Sequence, residues 1–462
     1  MFSVKPGEAA EVVGRHMMVK DHFDMIMDLD RSYGPYIVDA REAVPDGHGG
    51  QRALAENERQ YLDFYTQFAS WPVAYNHPGL NDAEYNEKLL RAARMRLACS
   101  DIVTTEMAEF VATMHDIAIP PGLGYLFLID GGALAVENAL KTAFDWKVRL
   151  NFSKGLLFAE NDYKIIHFRE AFHGRSGYTM SLTNTDATKI KFFPKFSSWP
   201  RIENPKMIFP LEDHLAEVEQ SEARAMAQIQ QAIDANPHTI AAIILETIQG
   251  EGGDNQFRPE FFKQLRDITE AHDILLILDE VQSGAGITGK FWAFQHTGIT
   301  PDIISFGKKM QVCGILASKE KLGRVQDHVF KELSRINSTW GGSLVDMVRA
   351  SRLLNIIKDE RLLQNATTQG AYLQSLLREM QAEFPAILLN ARGKGLMCAV
   401  DFHKVKERDE FVKEMMKRHV LVLKCGTCSV RLRPMLDIHK EHLDQFASAA
   451  RESLHAVHHS KA

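Results

Sequence analysis

The sequence predicts an α/β protein: a large, mainly parallel sheet covered by helices, followed by a smaller α+β domain. Three observations carry this. From about Leu80 to Gly342, short apolar runs bounded by turn residues alternate with stretches of helical period. After Gly342 the pattern changes to two long helical segments and then to strand-like pieces. The length, 462 residues with 45% hydrophobic and 25% charged residues, suits more than one core.

Taken in order, the first eighty or so residues mix turns with strand-like pieces at 36–39 and 61–68, and the polar, glycine-bearing stretch 42–58 reads as a surface loop. Five runs then read as buried strands: 125–130, 165–168, 240–246, 274–279 and 303–306. A helix expected over 134–147 puts Val136, Leu140, Ala143 and Phe144 on one face and sets Glu137 to pair with Lys141. Another over 258–272 has Pro259 in its first turn and Phe261, Leu265 and Ile268 on one face. Beyond Gly342, 344–358 and 362–383 read as helices, 396–402 as a strand, 408–418 as a helix, and 420–423 and 429–434 as strand-like. The expected division is therefore an N-terminal segment 1–80, a large domain 81–342 and a small domain 343–462.

Composition narrows the function. A formal net charge of −6 with no recurring basic tract gives no reason to expect a nucleic-acid partner. The N-terminal residues lack the apolar core of a signal peptide, and no apolar run is long enough for a membrane span, so a cytoplasmic location is expected. Five cysteines, an odd number, argue against a disulfide framework. The Cys425-Gly-Thr-Cys428 pair has no second pair or suitably spaced histidine pair to complete a zinc site, and no metal is expected. His455, His458 and His459 read as solvated residues on a polar tail.

Two of the buried runs deliver charged side chains at their carboxyl ends, Asp279 after ILLIL and Lys308 after PDIISFG. In an open α/β sheet that edge is where ligands bind. A carboxylate ending an aliphatic run is costly without a cationic partner. A lysine following a buried strand can be partly desolvated, which favours the neutral, nucleophilic amine. An amine for an aldehyde and an acid for a pyridine nitrogen are what pyridoxal 5'-phosphate (PLP) requires. The competing readings are a solvated strand end for Asp279 and a surface loop for the lysine, which the adjacent Lys309 fits better. Gly131-Gly132-Ala133, between a strand and a helix, suits a phosphate at a helix N-terminus.

Three further segments hold polar groups at turns. Residues 171–179, AFHGRSGYT, combine an aromatic with His173 and Arg175, suitable for ring stacking and carboxylate binding. Residues 246–254 place acids after a buried strand, and 338–342, STWGG, offer hydroxyls and glycines of the kind that bind phosphate.

With these residues in view, the chain resembles the class III, fold type I PLP-dependent aminotransferases, most closely the L-lysine ε-aminotransferases among them. The similarity spans about residues 15–450 and includes GGALAVENALKTAFDWK, FHGRSGYTMSLTNT, IQGEGGDNQFRPEFF, LDEVQSG, FGKKMQVCG and NSTWGG. The resemblance implies that Lys308 is the Schiff-base lysine, Asp279 the partner of the pyridine nitrogen, Phe172 the ring-stacking aromatic and Gln282 the donor near the phenolic oxygen. It implies that Gly132 and Ala133 hold the phosphate, that the enzyme is a homodimer with active sites at the interface, and that Thr339 reaches the phosphate from the other subunit.

The activity so implied is a ping-pong exchange. The ε-amino group of L-lysine goes to the coenzyme, releasing 2-aminoadipate 6-semialdehyde, and then to 2-oxoglutarate, which departs as L-glutamate. One site must then accept an unhindered ε-carbon and, in the other stage, an α-carbon bearing a carboxylate. The resemblance implies that Arg175 binds the carboxylate far from the reacting carbon, and that Arg431 binds the α-carboxylate of glutamate and is masked by Glu251 when lysine is bound. Glu246 is a second candidate mask. Two alternatives stand beside this: a 4-aminobutyrate or other ω-amino acid aminotransferase, and a non-catalytic PLP-fold binding protein.

Overall fold

The strands Ile240–Glu246 and Leu275–Asp279 are aliphatic along nearly their whole length because they lie inside the molecule with both faces covered, and every residue of both is buried. The computed structural model describes residues 4–16, 23, 25–45, 51–95, 98–99 and 101–459. Its main sheet has seven strands in the order Tyr125–Leu128, Gly314–Ala317, Ile303–Phe306, Leu275–Asp279, Ile240–Glu246, Lys164–Phe168 and Arg201–Ile202. All neighbours pair in parallel except Gly314–Ala317, which runs antiparallel to both of its own. Alternate residues serve opposite faces: Leu275 and Ile277 join one apolar cluster, Leu276 and Leu278 another.

The helix Gly132–Ser153 covers one face, burying Val136, Ala139, Leu140, Ala143 and Trp146 completely. The helix Pro259–Ala271 covers the other with Phe261, Phe262 and Leu265. Each of the larger aliphatic and phenylalanine side chains contributes about 1.5–3 kcal/mol by leaving water. The fold class and the five expected strands are therefore present, with boundaries shifted by up to two residues. The strand Gly314–Ala317 was not legible: its glycine resembles a turn signal, yet a side chain there would strike the Phe127 carbonyl of the neighbouring strand.

A second, antiparallel sheet contains Leu388–Lys394, Met397–Phe402, Ser429–Leu432 and Leu423–Cys425 in that order, packed under the helices Leu362–Glu383, Val405–Lys417 and Lys440–His459. A small sheet ties the two ends of the chain together, with Gln60–Asp63 between Tyr36–Val38 and Val420–Leu421. The helix Leu344–Asp359 sends Leu344, Met347 and Leu354 into the core beside the main sheet and Leu353, Ile356 and Ile357 into the core of the second.

Several expectations are corrected. Within 42–58, Ala43–Pro45 and Gln51–Ala53 pair as an antiparallel ribbon and Glu56–Arg59 forms a helical turn; residues 46–50 lie outside the described residues. Pro6–His16 is helical. The run 420–423 divides between two sheets. The expected strand 61–68 stops at Asp63, whose carboxylate accepts from Tyr65 N and Thr66 N at 2.7 and 2.8 Å and so turns the chain. Glu137 does not reach out to Lys141; it is buried and accepts from Tyr178 N at 2.7 Å and from Ser176 Oγ at 2.6 Å, satisfying the start of the helix Gly177–Leu182. His455, His458 and His459 are exposed as expected, but on the last turns of a helix.

Candidate active site

Strand register brings the chemistry together. Glu246 stands opposite Asp279, and Asp279 opposite Ser305, so three adjacent parallel strands present two acids and a hydroxyl at their carboxyl ends. The chain then passes Gly307 into a short helical turn that starts at Lys308, itself in the left-handed region at φ 50°. Above this edge lies a cavity of about 530 Å³, whose walls include Gly132, Ala133, Phe172, Arg175, Asp279, Gln282 and Lys308, with Ser70, His173, Glu246 and Cys313 among the others.

Asp279 is buried at the cavity wall, with a partner on each carboxylate oxygen. Its Oδ1 accepts from Val281 N and Ser305 Oγ, each at 3.0 Å, and its Oδ2 lies 2.8 Å from His173 Nδ1. An ionised carboxylate only accepts, so this His173 nitrogen carries the proton, and the buried Nε2 on its far side has no partner among the described residues. The arrangement fixes the carboxylate in place, as a ring N–H partner would require. Across the cavity, the helix Gly132–Ser153 begins with no side-chain cap, leaving N–H groups of its first turn to an anion. Gly174, at φ 119°, lies so close that a Cβ there would come 2.6 Å from the Ala133 Cβ and narrow the space at the helix start.

Lys308 Nζ donates to the Phe68 carbonyl at 2.9 Å, and Lys309 Nζ to the Ala69 carbonyl at 2.7 Å. Burial, with the Arg431 charge nearby, lowers Lys308 from its ordinary 10.5 to about 8. Lys309 is corrected from a surface residue to a buried one, and burial lowers it further. The carbonyls that hold both lysines belong to Thr66–Ala69, four successive left-handed residues with φ between 43° and 67°. For non-glycine residues this conformation costs about 1–2 kcal/mol each. It is held by the two lysines, by Gln311 Nε2 donating to the Ser70 carbonyl at 2.8 Å, and by Thr66 Oγ1 donating to the Arg433 carbonyl at 2.7 Å.

Two arginines of the strand-like segment SVRLRP reach this site. Arg431 Nη2 pairs with Glu251 Oε1 at 2.6 Å, and Lys189 Nζ with Glu251 Oε2 at 2.9 Å. Burial alone would raise the Glu251 carboxyl, but the Arg431 and Lys189 charges hold it at about 2. Arg433 pairs with the buried Asp254 and donates from Nη2 to Gln282 Oε1 at 2.9 Å, while Arg431 Nη1 lies 3.4 Å from the same oxygen. Glu246 is occupied otherwise: it accepts from Phe172 N at 2.9 Å and Gly250 N at 3.0 Å, and burial, with the Asp279 charge, pushes it up to about 7.

The structure thus gathers Gly132, Ala133, Phe172, Arg175, Asp279, Gln282 and Lys308 around the cavity, with Glu251 and Arg431 joined behind Gln282. Arg175 is exposed at the rim and forms no ion pair among the described residues. Thr339 is exposed and does not line the cavity. Sequence reasoning missed the His173 contact with Asp279, the Arg433–Asp254–Gln282 chain, Lys189 on Glu251 and the turn that grips the lysines. The first left a signal, a histidine in the loop already singled out, and Asp254 lies in the acidic segment 246–254. Cys425 and Cys428 flank the turn between two antiparallel strands as free thiols, and no group of metal-binding side chains occurs among the described residues.

A lysine, a buried acid and an open helix N-terminus around one cavity define a PLP-type site. The family model for class-III aminotransferases matches residues 39–454, and the chain belongs to that family. Its sequence is 45% identical to the L-lysine-epsilon aminotransferase of Mycobacterium tuberculosis over 98% of this chain and 96% of that one. The solved lysine aminotransferase from M. tuberculosis in the internal aldimine form superposes with a TM-score of 0.90 at 44% identity, covering 98% of this chain and 100% of that one. The 4-aminobutyrate aminotransferase of Dictyostelium discoideum is more distant, 33% identical over 83% of this chain and 79% of that one. The protein is an aminotransferase that uses PLP, and the acid, the lysine and the phosphate cradle on its own sheet edge fit that coenzyme.

Proposed function

We propose that the chain is an L-lysine 6-transaminase: it moves the ε-amino group of L-lysine to 2-oxoglutarate, giving 2-aminoadipate 6-semialdehyde and L-glutamate. The observation that carries this reading is the Arg431–Glu251 pair beside the cavity. With Glu251 on Arg431 the site offers no free cation at that wall and accepts an amine on an unbranched carbon. With Glu251 displaced, Arg431 is a bidentate partner for an α-carboxylate, one ion pair replacing another without leaving a buried charge alone. The names of the relatives support the same donor, and 4-aminobutyrate is the competing one.

PLP, when bound, supplies an aldehyde for amines and a ring that takes up the electron pair of a deprotonated carbon. The remaining work falls to side chains of this protein. Lys308 would hold the coenzyme and, once freed as a neutral amine, move the proton at the reacting carbon. Asp279, fixed by His173 and Ser305, would keep the ring nitrogen protonated. Phe172 would stack on the ring, Gln282 would donate to the phenolic oxygen, and Gly132 and Ala133 would hold the phosphate. Arg175 would bind the substrate carboxylate remote from the reacting carbon.

The assembly proposed is a homodimer, in which Thr339, exposed on its own chain, reaches the phosphate of a second copy. The division 1–80, 81–342 and 343–462 is proposed with it, the first segment serving the small domain and the interface. The free cysteines and the absence of any membrane-spanning helix among the described residues support a cytoplasmic enzyme. The test is initial rates with L-lysine and 4-aminobutyrate as competing donors to 2-oxoglutarate. Lysine should react much faster; reaction with 4-aminobutyrate and not lysine would overturn the reading.

A further inference from the structure

Outside the catalytic cavity, the loop that follows Asp279 meets the second sheet's helix and strand turn around a larger cavity, about 610 Å³. Its walls come from both bodies of the fold. Thr288, Gly289, Lys290 and His296 belong to the loop, while Thr367, Gln374, Arg378 and Lys394 belong to the helix Leu362–Glu383 and the strand Leu388–Lys394. None of the lining side chains is acidic. Lys290, Arg378 and Lys394 form no ion pair among the described residues, although the chain has more acidic than basic groups and most arginines around the active site are paired. Two of them act on one point: burial first, then the Lys394 and Lys290 charges, lower His296 below its ordinary value.

Of the remaining polar lining, the Thr288 and Thr367 hydroxyls and the Gln374 amide donate to the Lys290, Leu363 and Gly395 carbonyls, which leaves the Gln364 amide and the three cationic side chains facing a ligand. Gly289 and Gly395 hold left-handed backbone at φ 84° and 56°, and side chains there would collide with Thr367 and with the Thr288 backbone. This close approach fixes the two bodies against each other. It places three exposed like charges around one cavity with no acidic side chain in its lining, a positive rim that attracts an anion.

We propose that this cavity binds a small, multiply charged oxyanion, a polycarboxylate or a phosphorylated molecule, held by Lys290, Arg378 and Lys394. Its volume suits a ligand of metabolite size. The loop that forms one wall is anchored by Glu280, adjacent to Asp279, which accepts from Ala293 N at 3.0 Å and Phe294 N at 2.7 Å. An anion bridging Lys290 to Arg378 and Lys394 ties that loop to the second body.

The test is titration calorimetry on the PLP-saturated protein at low ionic strength, with inorganic pyrophosphate in one arm and citrate in the other. One saturable site per chain is expected for at least one probe, weakened at least about tenfold in Arg378→Gln/Lys394→Gln, where two charge-assisted contacts are lost. The arm that binds assigns phosphate or polycarboxylate chemistry. Because both side chains are exposed, the variant should fold, and its transamination rate without added anion should match the parent's. Absence of saturable binding of both probes, or equal affinity in parent and variant, overturns the proposal.

Discussion

Replacing Glu251 by Gln tests the switch at the point where its energy is concentrated. The carboxyl is ordinarily near 4.5 and is held at about 2, chiefly by Arg431 and Lys189 against the cost of burial. That difference corresponds to a net of about 3 kcal/mol in favour of the charged form, attraction to the two cations less the cost of burial. A substrate carboxylate that takes Arg431 must first displace Glu251, while Lys189 keeps its own share. Removing the charge should therefore tighten 2-oxoglutarate by about half that energy, roughly tenfold. The lysine stage should suffer, because Arg431, only 2% exposed, loses its charge partner in a site with no α-carboxylate to replace it. The assay follows each half-reaction separately by coenzyme absorbance under single-turnover conditions. A weaker 2-oxoglutarate stage with an unchanged lysine stage would refute the reasoning. The same pair also sets an acid limit. A carboxyl depressed in the fold contributes stability that is present above its unfolded value and is lost as pH falls from about 4.5 towards about 2. That loss should be smaller in the variant, read from denaturant midpoints across the range.

Other expectations follow from single contacts. PLP capture by the apoprotein should rise with pH around a midpoint near 8, the value to which burial and the Arg431 charge lower Lys308; a midpoint near 10 would place the amine in water. Gly250→Ala should displace Gln282, whose side chain a Cβ at that position would overlap, and so weaken coenzyme retention on dialysis far more than overall stability. Lys309→Met should cost about 1–2 kcal/mol in denaturant unfolding, because the Ala69 carbonyl loses its donor and the left-handed turn loses an anchor. An unchanged midpoint would show that the turn holds without it.

What could be read from the chain follows from how local each signal is. The strands 240–246 and 303–306 announce themselves because continuous burial needs continuous aliphatic sequence, and Pro259 marks its helix by its own geometry. Gly314–Ala317 escaped because its glycine answers to Phe127, nearly two hundred residues earlier in the chain. Glu137 was misread for a related reason: the helix period offers Lys141, but burial of that face brings the unsatisfied amides of Tyr178 and Thr179 into reach instead. In the site, Asp279 was legible because it ends a strand, and a lysine because it follows one, the choice of Lys308 over Lys309 resting on the resemblance. The contacts of His173, Lys189 and Arg433 depend on three separate loops meeting, and residue type alone does not show that. The left-handed turn at Thr66–Ala69 has no glycine to advertise it; it exists because Lys308, Lys309 and Gln311 take its carbonyls.

The central claim is that nitrogen leaves the ε-carbon of lysine and arrives on the α-carbon of glutamate in one site. The most direct measurement uses L-lysine carrying a heavy nitrogen at either the ε or the α position, with 2-oxoglutarate as acceptor and the isotope content of the glutamate formed read by mass spectrometry. The account predicts labelled glutamate from the ε-labelled donor and unlabelled glutamate from the α-labelled one. Label arriving from the α position, or no glutamate formed from lysine while 4-aminobutyrate supports turnover, would contradict it.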